Sequence, residues 1–567
     1  MISSIETIPS TPPTDPGSKR RVLSPCISKG DSSPNINKNS DRNIYASNIY
    51  ELYIYSSIHG CIDQIIPTSY KFFEVSIGLS PKSLGLMSFV QKFTQGFFTL
   101  FSGIICDKEI TKARNLSKVN TDFESLIRSP VNTTYNNLEY IDSNINLYKE
   151  TRSLWPSYFM IITSIGWGSI MIGMIFASTL PEMCVLLFCL GMFMSLMGPL
   201  TQSIIGTFGS LNRGRYFGNL FLSQNIGRIS CLFITANLLG DYFTYRLAML
   251  LFAMISFSFA FYIYIYDIYY STYYNNILAN KCALRTIKIS EDIGIYNLLN
   301  FLQLHFINIT YIKESLIEYS YIIYNKSAWL MLIISIVNGI PKHSLNFTMM
   351  WLQYCGLSSL MSTIVYSSSW IAAIIISPIV GKVADYTEFL SPKYGRQFMA
   401  QLAIFLRIIL MVILLLFIPW GRNSFIYYMI ISILIGFMAG WPGVGASRPI
   451  LCEIVKPQHR GTFFAVFSLF ETIGSALFGA PFVGILAQNY FGYISFQKND
   501  TQSIINISND NLKDIYLLQN NAQALAKSML CMTVGPWLIA ILLFGLLHCT
   551  YSNDQNITKD TKVTSDD

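Results

Sequence analysis

Ionisable side chains lie inside several long apolar stretches of this 567-residue sequence. His59 and Asp63 are four residues apart, so in a helix they share one face. A histidine titrates near neutral pH, and such a pair can take up and release a proton. The spacing fits an interhelical hydrogen-bonded pair equally well. A catalytic dyad is disfavoured because no serine or cysteine nucleophile motif accompanies the pair.

Other charges at apolar depth suit the binding of a charged solute. Arg228 and Lys342 could hold a carboxylate or phosphate through charge-assisted hydrogen bonds. Asp63 and Glu471 suit proton coupling or a cationic group. Alternatively, Arg228 and Glu471 only neutralise each other. Ionisable residues at membrane depth are costly and usually face a cavity or a partner, and the remaining ones are Lys92, His343, Arg407 and Arg448.

The elements that must position these residues are apolar helices. Hydrophobic residues make up 52% of the chain and charged residues 13%, which is too apolar for a soluble protein of this length. Many apolar windows reach the roughly 20 residues that a helix needs to cross a bilayer. The eleven cysteines are scattered, with neither a CxxC pair nor a histidine-rich spacing. The class is an all-α, multi-pass membrane protein, and no metal or cofactor is predicted.

Twelve membrane spans are predicted, six on each side of a long polar segment. They are residues 47–70, 84–105, 155–178, 183–207, 216–239, 247–267, 328–352, 361–384, 398–419, 425–451, 463–487 and 526–549.

The predicted organisation is two six-helix bundles joined and flanked by polar chain. Its parts are a disordered cytosolic tail (1–46), an N-terminal bundle (47–267) with a cytosolic insert (108–154), a cytosolic linker (268–327), a C-terminal bundle (328–549) with a non-cytosolic loop (488–525), and a cytosolic tail (550–567). Residues 288–304 of the linker are a candidate amphipathic helix. Lys and Arg set this orientation, since 27 of the 39 fall on the side of the two termini.

The sequence repeats itself at its landmarks. Gly103 and Asp107 recur as Gly381 and Asp385 at an offset of 278 residues, and Gly78-Leu-Ser recurs as Gly356-Leu-Ser at the same offset. An Arg-Gly pair at 213 recurs at 460, and the shorter offset matches the extra length of the 108–154 insert. The chain is therefore a duplicated six-helix unit with pseudo-twofold symmetry.

The repeat also relates the polar residues of the two bundles. Gln64 maps onto Lys342, so these two positions should face each other near the pseudo-twofold axis. Gln224 maps onto Glu471, and Asn338 lies one turn before Lys342. The predicted substrate and ion-coupling cavity comprises His59, Asp63, Gln64, Gln224, Arg228, Asn338, Lys342 and Glu471.

The charged ends of the second and eighth spans resemble the major facilitator superfamily. The signature G-x-x-x-D-[RK]-x-G-[RK]-[RK] is represented by Gly103, Asp107, Lys108 and Lys112, with Ile110 where the family has glycine. The second copy retains Gly381 and Asp385, and its basic residue, Arg396, comes later in the sequence than the signature places it. The resemblance implies that these seven residues form a conformational latch on the cytosolic side. A more distant similarity to spinster-like transporters lies around the first loop.

This resemblance implies a secondary active transporter that works by alternating access. We expect a small organic solute, with an organic anion or zwitterion favoured because cavity cations outnumber acids, and with protons as a candidate coupling ion. The alternatives are a lysolipid or sphingolipid carrier and a non-transporting receptor on the same scaffold. Neither an enzyme nor a nucleic-acid partner is predicted, and the expected assembly is a monomer in a lipid bilayer.

Overall fold

The computed structural model describes residues 37–127, 155–206, 213–238, 244–269, 326–454, 460–495 and 511–563, and these ranges contain helices and no strand. The chain divides into two compact units, Met1–Ala46 and Ser47–Asp567. All the contacts described below lie within the second unit.

Seventeen α-helices occur in these ranges. They are α1 (Asn37–Thr68), α2 (Tyr70–Ile77), α3 (Pro81–Ile127), α4 (Trp155–Phe176), α5 (Leu180–Met194), α6 (Met197–Gly206), α7 (Arg213–Leu238), α8 (Thr244–Ile263), α9 (Lys326–Ser344), α10 (Thr348–Tyr354), α11 (Ser359–Leu390), α12 (Gly395–Val412), α13 (Phe425–Phe437), α14 (Arg448–Ile454), α15 (Arg460–Phe478), α16 (Ala480–Ile485) and α17 (Asn511–Val563).

Nine helical segments within the described ranges are long and apolar enough to cross a membrane. Each of the nine overlaps a predicted span. The other three predicted spans lie in α1, α3 and α7, whose buried charges and amides lower their mean hydropathy. The protein is thus a multi-pass membrane protein, while the full count of twelve spanning helices stays a prediction.

Several helices extend into segments that the sequence analysis assigned to polar loops. Helix α3 continues to Ile127, and α17 begins at Asn511 and ends at Val563. The reason is that hydropathy marks where a chain leaves the bilayer, whereas a helix can continue through polar residues in water. Most of the 268–327 linker, with its predicted amphipathic helix, lies outside the described residues.

The repeated Gly-Leu-Ser sequence adopts the same backbone structure in both bundles. Gly78 and Gly356 each end a helix with a positive φ, of 78° and 90°, a conformation that glycine adopts without steric cost. Ser80 and Ser358 then begin the next helix, and each side-chain oxygen accepts a hydrogen bond from a backbone N–H three residues later. We call the end of the bundle that carries both copies the GLS end.

The N-terminal half (to residue 269) and the C-terminal half (from residue 326) are in direct contact at the GLS end. Helix α3 packs against α15 and α16, so closely that a Cβ on Gly484 would lie 2.3 Å from the Pro81 carbonyl oxygen and one on Gly85 would lie 2.6 Å from that of Ala480. Helix α7 packs against α11, where Thr363 donates a hydrogen bond to the Leu232 carbonyl at 3.5 Å.

Candidate functional site

A cluster of three charges is buried in the N-terminal half. Asp63 on α1 accepts hydrogen bonds from Lys92 on α3, through a very short contact, and from Arg228 on α7 at 3.0 Å. The side chains of Asp63, Lys92 and Arg228 are only 14%, 11% and 11% exposed. Burying a charge is costly unless it is paired, so the Asp63 carboxylate allows the Lys92 and Arg228 side chains to remain charged inside the helix bundle.

Glycines allow α1 and α7 to approach closely enough for this pairing. A Cβ on Gly227 would lie 1.9 Å from the Ser57 carbonyl oxygen, and one on Gly60 would lie 2.1 Å from that of Gln224. Small residues at such crossings are a general feature of membrane helix pairs. The backbone contact therefore brings Arg228 within reach of Asp63.

The structure gives His59 and Asp63 different partners. Gln224 contacts the His59 Nδ1 atom at 3.2 Å, and the imidazole packs 5.7 Å from the Trp167 ring. His59 is buried, and its Nε2 atom has no hydrogen-bond partner in the described part of the chain. His59 and Gln224 thus form one polar contact, and Asp63 belongs to a separate ionic cluster.

In the C-terminal half, Lys342 on α9 lies 3.8 Å from Glu471 on α15. Their side chains are 57% and 38% exposed, in contrast to the buried Asp63 cluster. Arg228 and Glu471 consequently each have a partner within their own half, and the structure does not pair them with each other.

A small cavity of about 40 Å³ lies between the halves, with room for a few water molecules. Its lining includes six residues of the predicted cavity or of the wider ionisable set: Asp63, Gln64, Lys92, Arg228, Lys342 and His343. Gln64 and Lys342, the pair related by the repeat, both line this cavity. Asn338 is half-buried and lies outside this lining.

Sequence reasoning missed several lining residues. Trp370 on α11 receives the Arg228 guanidinium 4.9 Å from its ring centroid, which links the two halves. Asn346 donates a hydrogen bond to Ser88 across the halves at 3.1 Å. Asn346 lies one turn beyond Lys342 and could have been found by helical spacing, whereas no sequence signal distinguishes Trp370 from other apolar aromatic residues.

The residues of the predicted latch are partly paired in this structure. Arg396 donates to Asp385 at 3.2 Å, to the Gly445 carbonyl at 3.1 Å, and to Glu388 through a very short contact. Among the described residues, no atom lies within 4 Å of a Cβ added to Gly103 or Gly381, so no described helix packs closely against either glycine. The side chains of Asp107, Lys108 and Lys112 lie outside the described residues.

Residues 155–495 match the family model of the Major Facilitator Superfamily. This match and the candidate membrane helices indicate a membrane transporter, and the match covers more than half of the chain. The protein belongs to the Major Facilitator Superfamily. A comparison with curated protein sequences gives no match.

Solved transporter structures share the fold at low sequence identity. A bacterial homologue of the human lysosomal transporter Spinster, in an inward-facing and occupied conformation, has a TM-score of 0.58 and 14% identity, over 90% of this chain and 98% of that one. The nucleoside transporter NupG gives 0.55 and 13%, over 88% and 98%. A D-xylose-proton symporter gives 0.50 and 11%, over 87% and 97%.

Proposed function

We propose that this protein is a secondary active transporter that moves a small organic anion or zwitterion by alternating access. The observation that supports this most strongly is the charge of the central cavity. Lys92, Arg228 and Lys342 all line it, whereas Asp63 is the single carboxylate among its lining residues. A carboxylate or phosphate entering there would balance the excess positive charge.

Within this proposal, Lys342 is the primary anchor for the solute. Its only ion pair in the described structure is the 3.8 Å contact with the half-exposed Glu471. Arg228, in contrast, is held by Asp63 and by the face of Trp370. A solute can therefore engage Lys342 with the smallest loss of existing contacts.

The proposed role of Asp63 is to hold Lys92 and Arg228 in place while no solute is bound. Protonation of Asp63 alone would leave both cations buried without a partner, which costs several kcal/mol. An anionic solute that binds the same cations removes this cost. Proton uptake by Asp63 would then accompany solute binding, which gives a physical basis for coupled transport.

Orientation is part of the same proposal. The excess of Lys and Arg on the side of the termini supports a cytosolic location for both termini, and the GLS end would then face away from the cytosol. The contacts between the halves at the GLS end then support a conformation that is closed on the non-cytosolic side.

Replacing Lys342 with glutamine should raise the KM for an anionic solute by roughly 10- to 100-fold, because one charge-assisted contact is lost. Uptake into proteoliposomes, measured over a panel of organic anions, zwitterions and neutral solutes with and without a pH gradient, tests this. Lys393→Gln is the control, since this exposed lysine follows the end of α11 and does not line the cavity. An unchanged KM in Lys342→Gln would contradict its role as anchor.

The same uptake experiment separates the alternative functions. A lysolipid or sphingolipid carrier would transport single-chain amphiphiles, although the charged cavity lining favours a smaller polar solute. A receptor on this scaffold would bind a solute and show no flux at any pH gradient.

Removal of both latch carboxylates, in Asp107→Ala with Asp385→Ala, is expected to slow transport strongly while solute affinity is retained. The reason is that the latch acts on the equilibrium between conformations, not on the solute. Uptake rates and equilibrium binding should be measured on the same preparation. A wild-type uptake rate in the double variant would show that these carboxylates do not act as a conformational latch.

A further inference from the structure

A carboxyl group outside the predicted cavity and the predicted latch joins the two halves at the GLS end. Glu74, on α2 of the N-terminal half, is fully buried. Its Oε2 atom lies 2.5 Å from the Tyr354 hydroxyl and its Oε1 atom 2.6 Å from the Tyr493 hydroxyl, both in the C-terminal half. The two hydroxyls are themselves 3.0 Å apart. The three groups form a closed ring, which we call the Glu74 ring.

A count of hydrogens indicates the protonation state that suits this ring. Three contacts need three hydrogens, and each tyrosine hydroxyl supplies one. An ionised carboxylate supplies none, so one contact lacks a hydrogen and a charge is buried. A protonated carboxyl supplies the third hydrogen and removes the charge. The neutral form therefore satisfies every polar atom of the ring.

We propose that Glu74 is a proton-binding site, and that the proton bound there holds the GLS end of the transporter closed. The proposal rests on alternating access between the two halves and not on the identity of the solute. When the GLS end opens, the tyrosines leave with the C-terminal half and Glu74 becomes exposed to water, where a carboxyl group is ionised near neutral pH.

The electrostatic surroundings of Glu74 agree with this assignment. Glu74 lies beyond the predicted end of the first span. Burial raises the pKa of its carboxyl group to about 7, while hydrogen bonds from the two tyrosines and the charge of Lys71 act in the opposite direction. The Lys71 ammonium lies 4.7 Å from the centroid of the Tyr354 ring and near the Cys355 thiol. Asn521 contributes a neutral hydrogen bond to Tyr354.

The direction of the pH dependence follows from linkage. The closed state binds the proton more tightly than the open state, in which the pKa of a glutamate in water is about 4.3. Closure is therefore favoured most at low pH. The ratio of closed to open should fall by up to about tenfold per pH unit between roughly pH 5 and 7, and stay constant above pH 7.

The test is a distance measurement across the GLS end without solute. Non-natural amino acids at Phe176 and Asn423, both exposed and on opposite halves, carry a dye pair and leave the native cysteines in place. Single-molecule energy transfer in nanodiscs then reports the open fraction between pH 5 and 8. In the wild type we expect this fraction to rise with pH through the stated window.

Glu74→Gln imitates the protonated carboxyl and should keep the GLS end closed at every pH, without a pH dependence. Glu182→Gln is the matched control, because Glu182 is another carboxylate of the same half, is fully exposed and is hydrogen-bonded only to its near neighbours Ser178 and Thr179. This variant should retain the wild-type profile. Tyr354→Phe removes one hydrogen-bond donor and should raise the open fraction at low pH.

A wild-type profile in Glu74→Gln, or an open fraction in the wild type that does not change with pH, would overturn the proposal. Neither result depends on which solute is transported.

Discussion

Asp63→Asn is expected to destabilise the protein by about 3–5 kcal/mol, because Lys92 and Arg228 would remain buried without their shared counter-charge. Both cations contact Asp63, and neither has another acidic partner in the described residues. Thermal unfolding of the purified variant in detergent measures the effect. Asp385→Asn is the control, because this carboxylate is 74% exposed, so its ion pair with Arg396 should contribute little.

A second variant separates the loss of charge balance from a general loss of packing. Asp63→Asn combined with Lys92→Gln removes one positive and one negative charge, and should recover part of the lost stability. The double variant should still fail to couple transport to a pH gradient if Asp63 carries the proton. Equal stability of the wild type and Asp63→Asn would show that the cluster is not energetically important, and unchanged coupled transport would exclude Asp63 from coupling.

Gly484→Ala and Gly85→Ala should shift the protein away from the conformation described here and reduce transport by at least about tenfold. The added methyl groups would lie 2.3 Å and 2.6 Å from backbone carbonyl oxygens of the opposite half. Backbone atoms cannot turn aside as a side chain can, so the halves must separate at the GLS end. The labels at Phe176 and Asn423 should therefore report a larger open fraction at all pH values.

Two further glycines provide the controls for this prediction. A Cβ on Gly535 would meet none of the described atoms within 4 Å, so Gly535→Ala should behave as the wild type. Gly227 is crowded by the backbone of its own half, so Gly227→Ala should lower the unfolding temperature without specifically opening the GLS end. An unaltered open fraction in Gly484→Ala would show that the helices adjust locally.

The sequence identified helices and charged residues well but did not identify their partners. Long apolar windows determine helices because the bilayer offers no other backbone partner, and the two Gly-Leu-Ser copies indeed have matching backbone structures. Arg228 and Asp63 are 165 residues apart, and nothing in their local sequence shows that α1 and α7 cross at glycine. The alternative in which Arg228 and Glu471 neutralise each other is not supported for the same reason, since their partners in the structure are Asp63 and Lys342.

The Glu74 ring could not be predicted from local patterns. Glu74 follows the first predicted span, where a single acid is indistinguishable from an ordinary loop charge. Tyr354 and Tyr493 are two of 34 tyrosines, a residue type that is common at membrane interfaces. Only the folded structure shows that these three residues, which lie on distant segments of the chain, are hydrogen-bonded to one another.

Two of the contacts between the halves are built differently, and this has a consequence for the route of the solute. On one side, α3 meets α15 and α16 backbone to backbone at glycine; on the other, α7 meets α11 through Trp370 and Thr363. Side chains can rotate out of a contact, whereas a contact between two backbones is broken only when a whole helix moves. We therefore expect the first lateral opening towards the lipid to form between α7 and α11. The acyl tail of an amphiphile would pass through this opening, whereas a fully polar solute would leave along the axis of the transporter, perpendicular to the membrane.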